Sequence, residues 1–279
     1  MNSLGRAVVA MKGDAGLMFY NPASIAYGSP AQIFAGFTNL YPSVLDDNLN
    51  VINAGGTYRL EQTGTIGIGV SQFSPNFWTE RIILLSFASD QLMENISVGA
   101  SAKILSWSAE SPQGEYAVPE PGFAYTGVSF DLGAFYQIPE IFEQNDLQFG
   151  IALLDVTQPS IASNGSSDAT LPMKLSTGAA FISRKHHYAL YGAATLSEGN
   201  RKLAFGYELS AFHVSAMGIE SELFIRFGAG RVTKTDSQGE YNGGFGIVVN
   251  KVKIDYSYSY QAFLQNVGGI SSIAMSYEF

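Results

Sequence analysis

Three histidines and no cysteine are the whole stock of soft or mid-range titrating side chains in this 279-residue chain. His186 and His187 are adjacent. Neighbouring residues of a strand point to opposite faces, so the pair makes a poor metal site and reads, with Arg184 and Lys185, as a solvated turn. His213 stands alone. Without cysteine there is no disulfide framework, thiol chemistry or Cys-type zinc site. No Gly-Lys-Ser/Thr phosphate loop, His-Glu-x-x-His pair or Gly-x-Ser-x-Gly elbow occurs. Nucleophilic catalysis therefore has few bases to draw on. The expectation is a protein that is not an enzyme, with no cofactor and no metal; a Ser/His/Asp lipase-type barrel is the enzyme alternative. The side chains left to carry chemistry are charges placed in otherwise small or polar strand registers: Asp131, Glu208, Lys253 and Asp255. They would line and solvate a lumen, or form a polar network that grips a plug or a substrate.

The elements that would position those charges are strands. Ile273, Met275, Tyr277 and Phe279 fall on one side of an extended C-terminal segment, and Ser272, Ala274, Ser276 and Glu278 on the other. Val252, Ile254, Tyr256, Tyr258 and Tyr260 alternate in the same way with Lys253, Asp255, Ser257 and Ser259. A transmembrane β-barrel needs this pattern, with lipid outside, a wetter lumen inside and aromatic girdles at the interfaces. Tyr277 and Phe279 read as its C-terminal aromatic signal. Composition agrees. Charged residues make up 14% against 46% hydrophobic and 13% aromatic, where a soluble domain carries about 25% charged residues. Mean hydropathy is only +0.09, because lumen and loop positions dilute the apolar ones. The longest apolar run, around Ile82–Leu85, is far short of the ~20 residues of a membrane helix. A net charge of −9 argues against nucleic acid as a partner. Lys and Arg are scattered singly, which reads as a solvated pattern.

Period-two segments bounded by turn residues predict fourteen strands, near 30–40, 51–59, 64–73, 80–90, 94–106, 124–137, 146–156, 172–182, 187–196, 203–213, 219–230, 241–249, 251–260 and 270–279. The connections alternate. One set is mostly long (41–50, 74–79, 107–123, 157–171, 197–202, 231–240, 261–269) and the other mostly short, as in barrels with long extracellular loops and short periplasmic turns. The exception is 138–145, which reads as a turn holding a helical cap. Long loops such as 107–123, with Glu110, Glu115 and Glu120, and 157–171, with Asn164 to Asp168, are places for binding or passive surface. Trp78, Phe73, Phe77 and Trp107 read first as interface aromatics and second as a ligand grip.

Residues 1–29 do not read as a strand. Gly5, Gly13, Gly16, Pro22 and Gly28 break it, while Val8, Val9, Met11, Leu17, Met18, Phe19 and Tyr20 are too apolar for a free tail. The expected organisation is an N-terminal hatch or plug over 1–29, with Asn21, Pro22, Ala23 and Ser24 as its turn, and a barrel over 30–279. Met1–Arg6 lacks the basic and apolar regions of a signal peptide, so an exported chain would have lost its signal or begin late.

Asp14–Ala26 resembles a stretch shared by PorV/PorQ-like and FadL-like outer-membrane barrels, and Gly5–Gly13 resembles the lead that precedes it. Leu171–Phe181 and Lys253–Tyr258 are similar to later strands of the same superfamily. Lys12 and Ser24 stand where that pattern has glycine. The resemblance implies a 14-stranded antiparallel barrel in the bacterial outer membrane, with an N-terminal segment in its lumen and outer-membrane lipid around it. It implies one of two roles. A PorV-like component of type IX protein secretion and surface attachment would meet secreted proteins or secretion-system subunits. A FadL-like transporter would pass long-chain fatty acids or another hydrophobic small molecule. Long polar loops and a Ser/Gly/Asp/Glu/Lys lumen register favour the first. A porin-like barrel without a specific ligand is the third possibility.

Overall fold

The computed structural model describes residues 1–44, 49–76, 78–109, 123–142, 144–160, 170–216, 219–233, 238–262, 264 and 268–279. Phe77 and the predicted binding-loop residues Glu110, Glu115, Glu120 and Asn164 to Asp168 lie outside the described residues. Fourteen antiparallel strands close into one barrel in sequence order. They are β1 (Ala31–Leu40), β2 (Asn50–Leu60), β3 (Gly64–Phe73), β4 (Trp78–Met93), β5 (Ile96–Ala109), β6 (Phe123–Phe142) and β7 (Asn145–Leu154), then β8 (Lys174–Ser183), β9 (Tyr188–Ser197), β10 (Asn200–Ala216), β11 (Ile219–Thr233), β12 (Gln238–Val249), β13 (Val252–Gln261) and β14 (Ile270–Glu278). The last strand pairs with the first, from Gln32 opposite Glu278 to Leu40 opposite Ile270. That seam leaves the sheet without an edge, which hydrocarbon requires because it offers no water to unpaired backbone groups.

Alternation sorts the side chains between two environments. Ile68 (61% exposed), Leu85 (62%), Phe205 (64%) and Met275 (54%) stand on the outer face. Their strand neighbours on the inner face include Ser86, Ser101, Ser129 and Ser257, all buried. An apolar outer wall and a small, polar inner wall are what a bilayer selects, since a cation on the lipid face at mid-depth costs about 2–4 kcal/mol.

Two connections differ from the sequence reading. The described residues of 138–145 do not form the expected helical turn, because β6 runs on to Phe142. Its register slips between Ile138 and Phe142, where Pro139 has no N–H to donate. Glu140 takes a left-handed φ of 56° there, and its amide donates to Asp146 Oδ1 at 2.9 Å. At 197–202, counted among the long loops, β9 and β10 are joined by Glu198 and Gly199 alone, with φ 29° and 76°. A two-residue hairpin needs positive φ, which the glycine supplies readily.

Residues 1–27 contain three short 3-10 helices, Asn2–Leu4, Ala15–Phe19 and Pro22–Tyr27. The first packs against β10–β13, the second against β1–β3 and the third against β3–β6. Leu4, Val8, Leu17, Met18 and Ile25 are fully buried there. The wall is shaped to the segment. A Cβ at Gly133 would strike Asn21 Oδ1, one at Gly150 the Val9 carbonyl, and one at Gly228 the Leu4–Gly5 backbone.

Leu85→Arg places a cation on the outer wall in the middle of β4. The expected loss is about 2–4 kcal/mol of folding stability in lipid vesicles, measured by urea titration, with little change for Leu85→Phe.

Candidate functional site in the barrel lumen

A cavity of about 450 Å3 lies along β3–β8, within the size range of small-molecule sites. Phe19 of the N-terminal segment contributes from one side, and Phe73, Ile82, Leu84, Leu105, Trp107, Tyr125 and Leu154 from the wall. Most wall members sit towards the strand ends remote from the chain termini. Phe73 closes β3, Trp107 and Tyr125 face each other across β5 and β6, and Leu154 closes β7. Phe73 packs edge-on against Trp78, ring centroids 6.2 Å apart. Phe19 packs edge-on against Phe34 at 6.3 Å. Phe73 and Trp107 were expected first as membrane-interface aromatics. They line the cavity instead, because Trp107 shares the inward register of Ser101, Lys103 and Leu105, and Phe73 that of Gly67, Gly69 and Ser71.

Charge enters this cavity as one compact cluster. Lys103 donates to Asp131 Oδ1 at 2.7 Å and also to Asp155. The Asp155 amide donates to Asp131 Oδ1 at 2.9 Å. Lys174 Nζ stands 3.6 Å from Asp155 Oδ2. Lys103, Asp131 and Asp155 are buried, so each charge depends on its partners. Asp155 follows β7 with φ 59°, a left-handed conformation that aspartate tolerates better than most residues. That turn brings its carboxylate onto Lys103 when simple alternation after inward Leu154 would send it outward.

A second cluster occupies the inner wall of β10–β13. Arg226 donates to both Glu208 and Asp255. Lys253 lies 3.5 Å from Asp255 and 3.2 Å from Asp14 of the N-terminal segment. Asp14 also accepts from the Gly16 amide at 2.9 Å, capping the second 3-10 helix. More hydrogen bonds hold the segment to the wall. Asn21 Nδ2 donates to the Ala134 carbonyl of β6 at 3.2 Å and, within the segment, to the Val9 carbonyl at 2.9 Å. Ser97 Oγ donates to the Ala23 carbonyl at 2.9 Å. Arg59 donates to the Ala26 carbonyl at 2.6 Å and to Asp90 at 2.7 Å. Asn21, Pro22, Ala23 and Ser24 are all buried, with Asn21 capping the third 3-10 helix through the Ala23 amide at 3.1 Å.

Of the four lumen charges singled out in the sequence, Glu208, Lys253 and Asp255 share one cluster, while Asp131 belongs to the other, beside the cavity. Tyr277 and Phe279 lie at the seam where the end of β14 meets the start of β1, ring centroids 4.9 Å apart. His186 and His187 are exposed in the β8–β9 turn, and His213 is exposed near the end of β10. Among the described residues no group of three His, Asp or Glu side chains is placed to hold a metal. The sequence reading missed Lys103, Asp155, Arg226 and Asp14. It took lysine and arginine as solvated because they are scattered singly. Spacing held the signal: Lys103 and Arg226 occupy the inward register of apolar strands, where a cation must find a carboxylate.

No family model and no curated protein matches this sequence. Solved structures do match. The CymD monoaromatic hydrocarbon channel superposes with a TM-score of 0.66 at 13% identity, over 100% of this chain and 96% of that one. A Pseudomonas aeruginosa FadL homologue superposes with a TM-score of 0.65 at 12% identity, over 98% and 96% of the two chains. The Pseudomonas putida toluene transporter TodX gives 0.58 at 11% identity, over 96% and 94%. The chain has the fold of these proteins, a closed antiparallel β-barrel of fourteen strands.

Arg226→Met should cost about 1–3 kcal/mol, because half-buried Glu208 and Asp255 would lose their shared partner, Asp255 keeping only Lys253. Unfolding in detergent, followed by the gel-mobility shift of the folded barrel, measures it. Adding Glu208→Gln and Asp255→Asn should recover most of the loss.

Proposed function

We propose that this protein is a FadL-type outer-membrane transporter that admits a small hydrophobic molecule by binding and passage, without catalysis. The observation that carries this reading is the lumenal cavity walled by Phe19, Phe73, Leu105, Trp107 and Tyr125. Burial of apolar ligand surface against such a wall yields about 25 cal/mol per Å2, and the aromatic rings add shape. Among the structural neighbours, one is a monoaromatic hydrocarbon channel and another a toluene transporter, which supports uptake over protein secretion.

The secretion reading, which led in the sequence, draws no support from these comparisons. It leaned on a lumen register rich in Ser, Gly, Asp, Glu and Lys, thought too polar for a hydrophobic ligand. In the fold much of that polar register faces the N-terminal segment or pairs within the two ionic clusters, and the cavity takes part of its lining from large apolar side chains of the same register, beside the Lys103 cluster.

Residues 1–29 serve as the hatch in this proposal. Their contacts with strands all around the barrel support it, as do the wall glycines fitted to Val9, Asn21 and Leu4. A hatch of this kind closes the lumen to water-soluble solutes while forming one side of the ligand cavity through Phe19.

Two experiments test the proposal. Solvent extraction of the protein purified from its native envelope should release an apolar small molecule in near-stoichiometric amount, lost in Leu105→Arg. Recovery of a secreted protein with nothing in the lumen would contradict it. In planar bilayers, Gly150→Leu should displace the segment at Val9 and raise conductance several-fold over the wild-type barrel; unchanged conductance would count against a hatch.

A further inference from the structure

We propose that the Lys103–Asp131–Asp155–Lys174 cluster makes the cavity selective for uncharged ligands and rejects their carboxylate analogues. The inference rests on the reading of the cavity as a ligand site. All four side chains line it, together with Glu80 and Arg81. Three acidic and three basic groups cancel, in a chain whose net charge is −9.

The arrangement matters more than the sum. Lys103 is held between Asp131 and Asp155, with its side chain 8% exposed, so it has little charge to offer a newcomer. The second cluster, around Arg226, does not border the cavity. Arg81 donates its Nε–H to Gln72 Oε1 at 3.0 Å and lies out of the inward register of β4. Among the described residues, the cation in the inward register with exposed charge for an anionic ligand is Lys174, 42% exposed and 3.6 Å from Asp155.

A ligand carboxylate that drew Lys174 away would leave Asp131 and Asp155 facing Lys103 alone. The incoming anion would gain Lys174 only by breaking its pair with Asp155, and would sit beside a cluster left at net −1, so one ion pair is exchanged for another with little return. It would also lose its hydration. An uncharged ligand avoids both costs and keeps the apolar contacts with Phe73, Leu105 and Trp107. Asp155 is thus the specificity-determining residue, set in place by its left-handed turn and by the hydrogen bond from its own amide to Asp131.

Toluene and benzoate, two monosubstituted benzenes of similar size, are the probes. Each is titrated against the tryptophan fluorescence of the full chain in lipid nanodiscs, with free probe measured directly. The wild type should bind toluene at least about tenfold more tightly than benzoate. Asp155→Asn turns the cluster to net +1 and should shift that ratio towards benzoate by about tenfold or more. Asp131→Asn should move it in the same direction, which covers the case in which one variant fails to fold. Equal binding of both probes by the wild type, or a ratio unmoved in both variants, overturns the proposal. If neither probe binds the wild type, the filter as proposed fails; the transport reading fails with it only if solvent extraction of the native-envelope protein also releases no apolar molecule.

Discussion

The closure of β1 on β14 is the interaction on which the rest of this structure depends. In hydrocarbon, each unpaired backbone N–H or C=O costs several kcal/mol. A sheet can span only if it has no edge. The nine Cα pairs from Gln32–Glu278 to Leu40–Ile270 remove the edge and fix every strand's register relative to the first. Register then decides which face each residue sees, since a slip by one residue would exchange lipid and lumen for the whole strand.

Closure also creates an inside that has to be occupied. Among the described residues the occupants include a folded N-terminal segment, the Lys103 and Arg226 clusters and the cavity. The segment is matched to the wall by steric fit at glycines and by hydrogen bonds from Asn21, Ser97 and Arg59. The clusters answer the cost of charge in a poorly hydrated bore, with each buried cation facing two carboxylates. Their placement differs in consequence. The Arg226 cluster reaches Asp14 and ties the segment to β13, whereas the Lys103 cluster borders the cavity.

Much of the barrel was legible in the sequence, because a strand exposed to lipid on one face and to a lumen on the other writes a period of two that few other settings impose. Val252–Tyr260 and Ile273–Phe279 show it without interruption. Legibility failed where backbone geometry departs from that period. Asp155 lies one residue after inward Leu154, and only its φ of 59° brings it back to Lys103. Pro139 and Glu140 suggested a loop, while the strand absorbs them as a bulge. Phe73 and Trp107 were read by residue type as interface aromatics, although their register already pointed inward. The cavity itself is a property of three-dimensional convergence: its walls come from Phe19 and from residues as far along as Lys174, and no local pattern links them.

The account stands most directly on where a hydrophobic ligand sits. A structure of the protein soaked with bromobenzene, with the bromine located by anomalous scattering, measures this. The account predicts one dominant bromine site inside the barrel, between Phe19 and Trp107 and within van der Waals reach of Leu105. Bromine found only on the outer wall, or an empty lumen at saturating ligand, would contradict it.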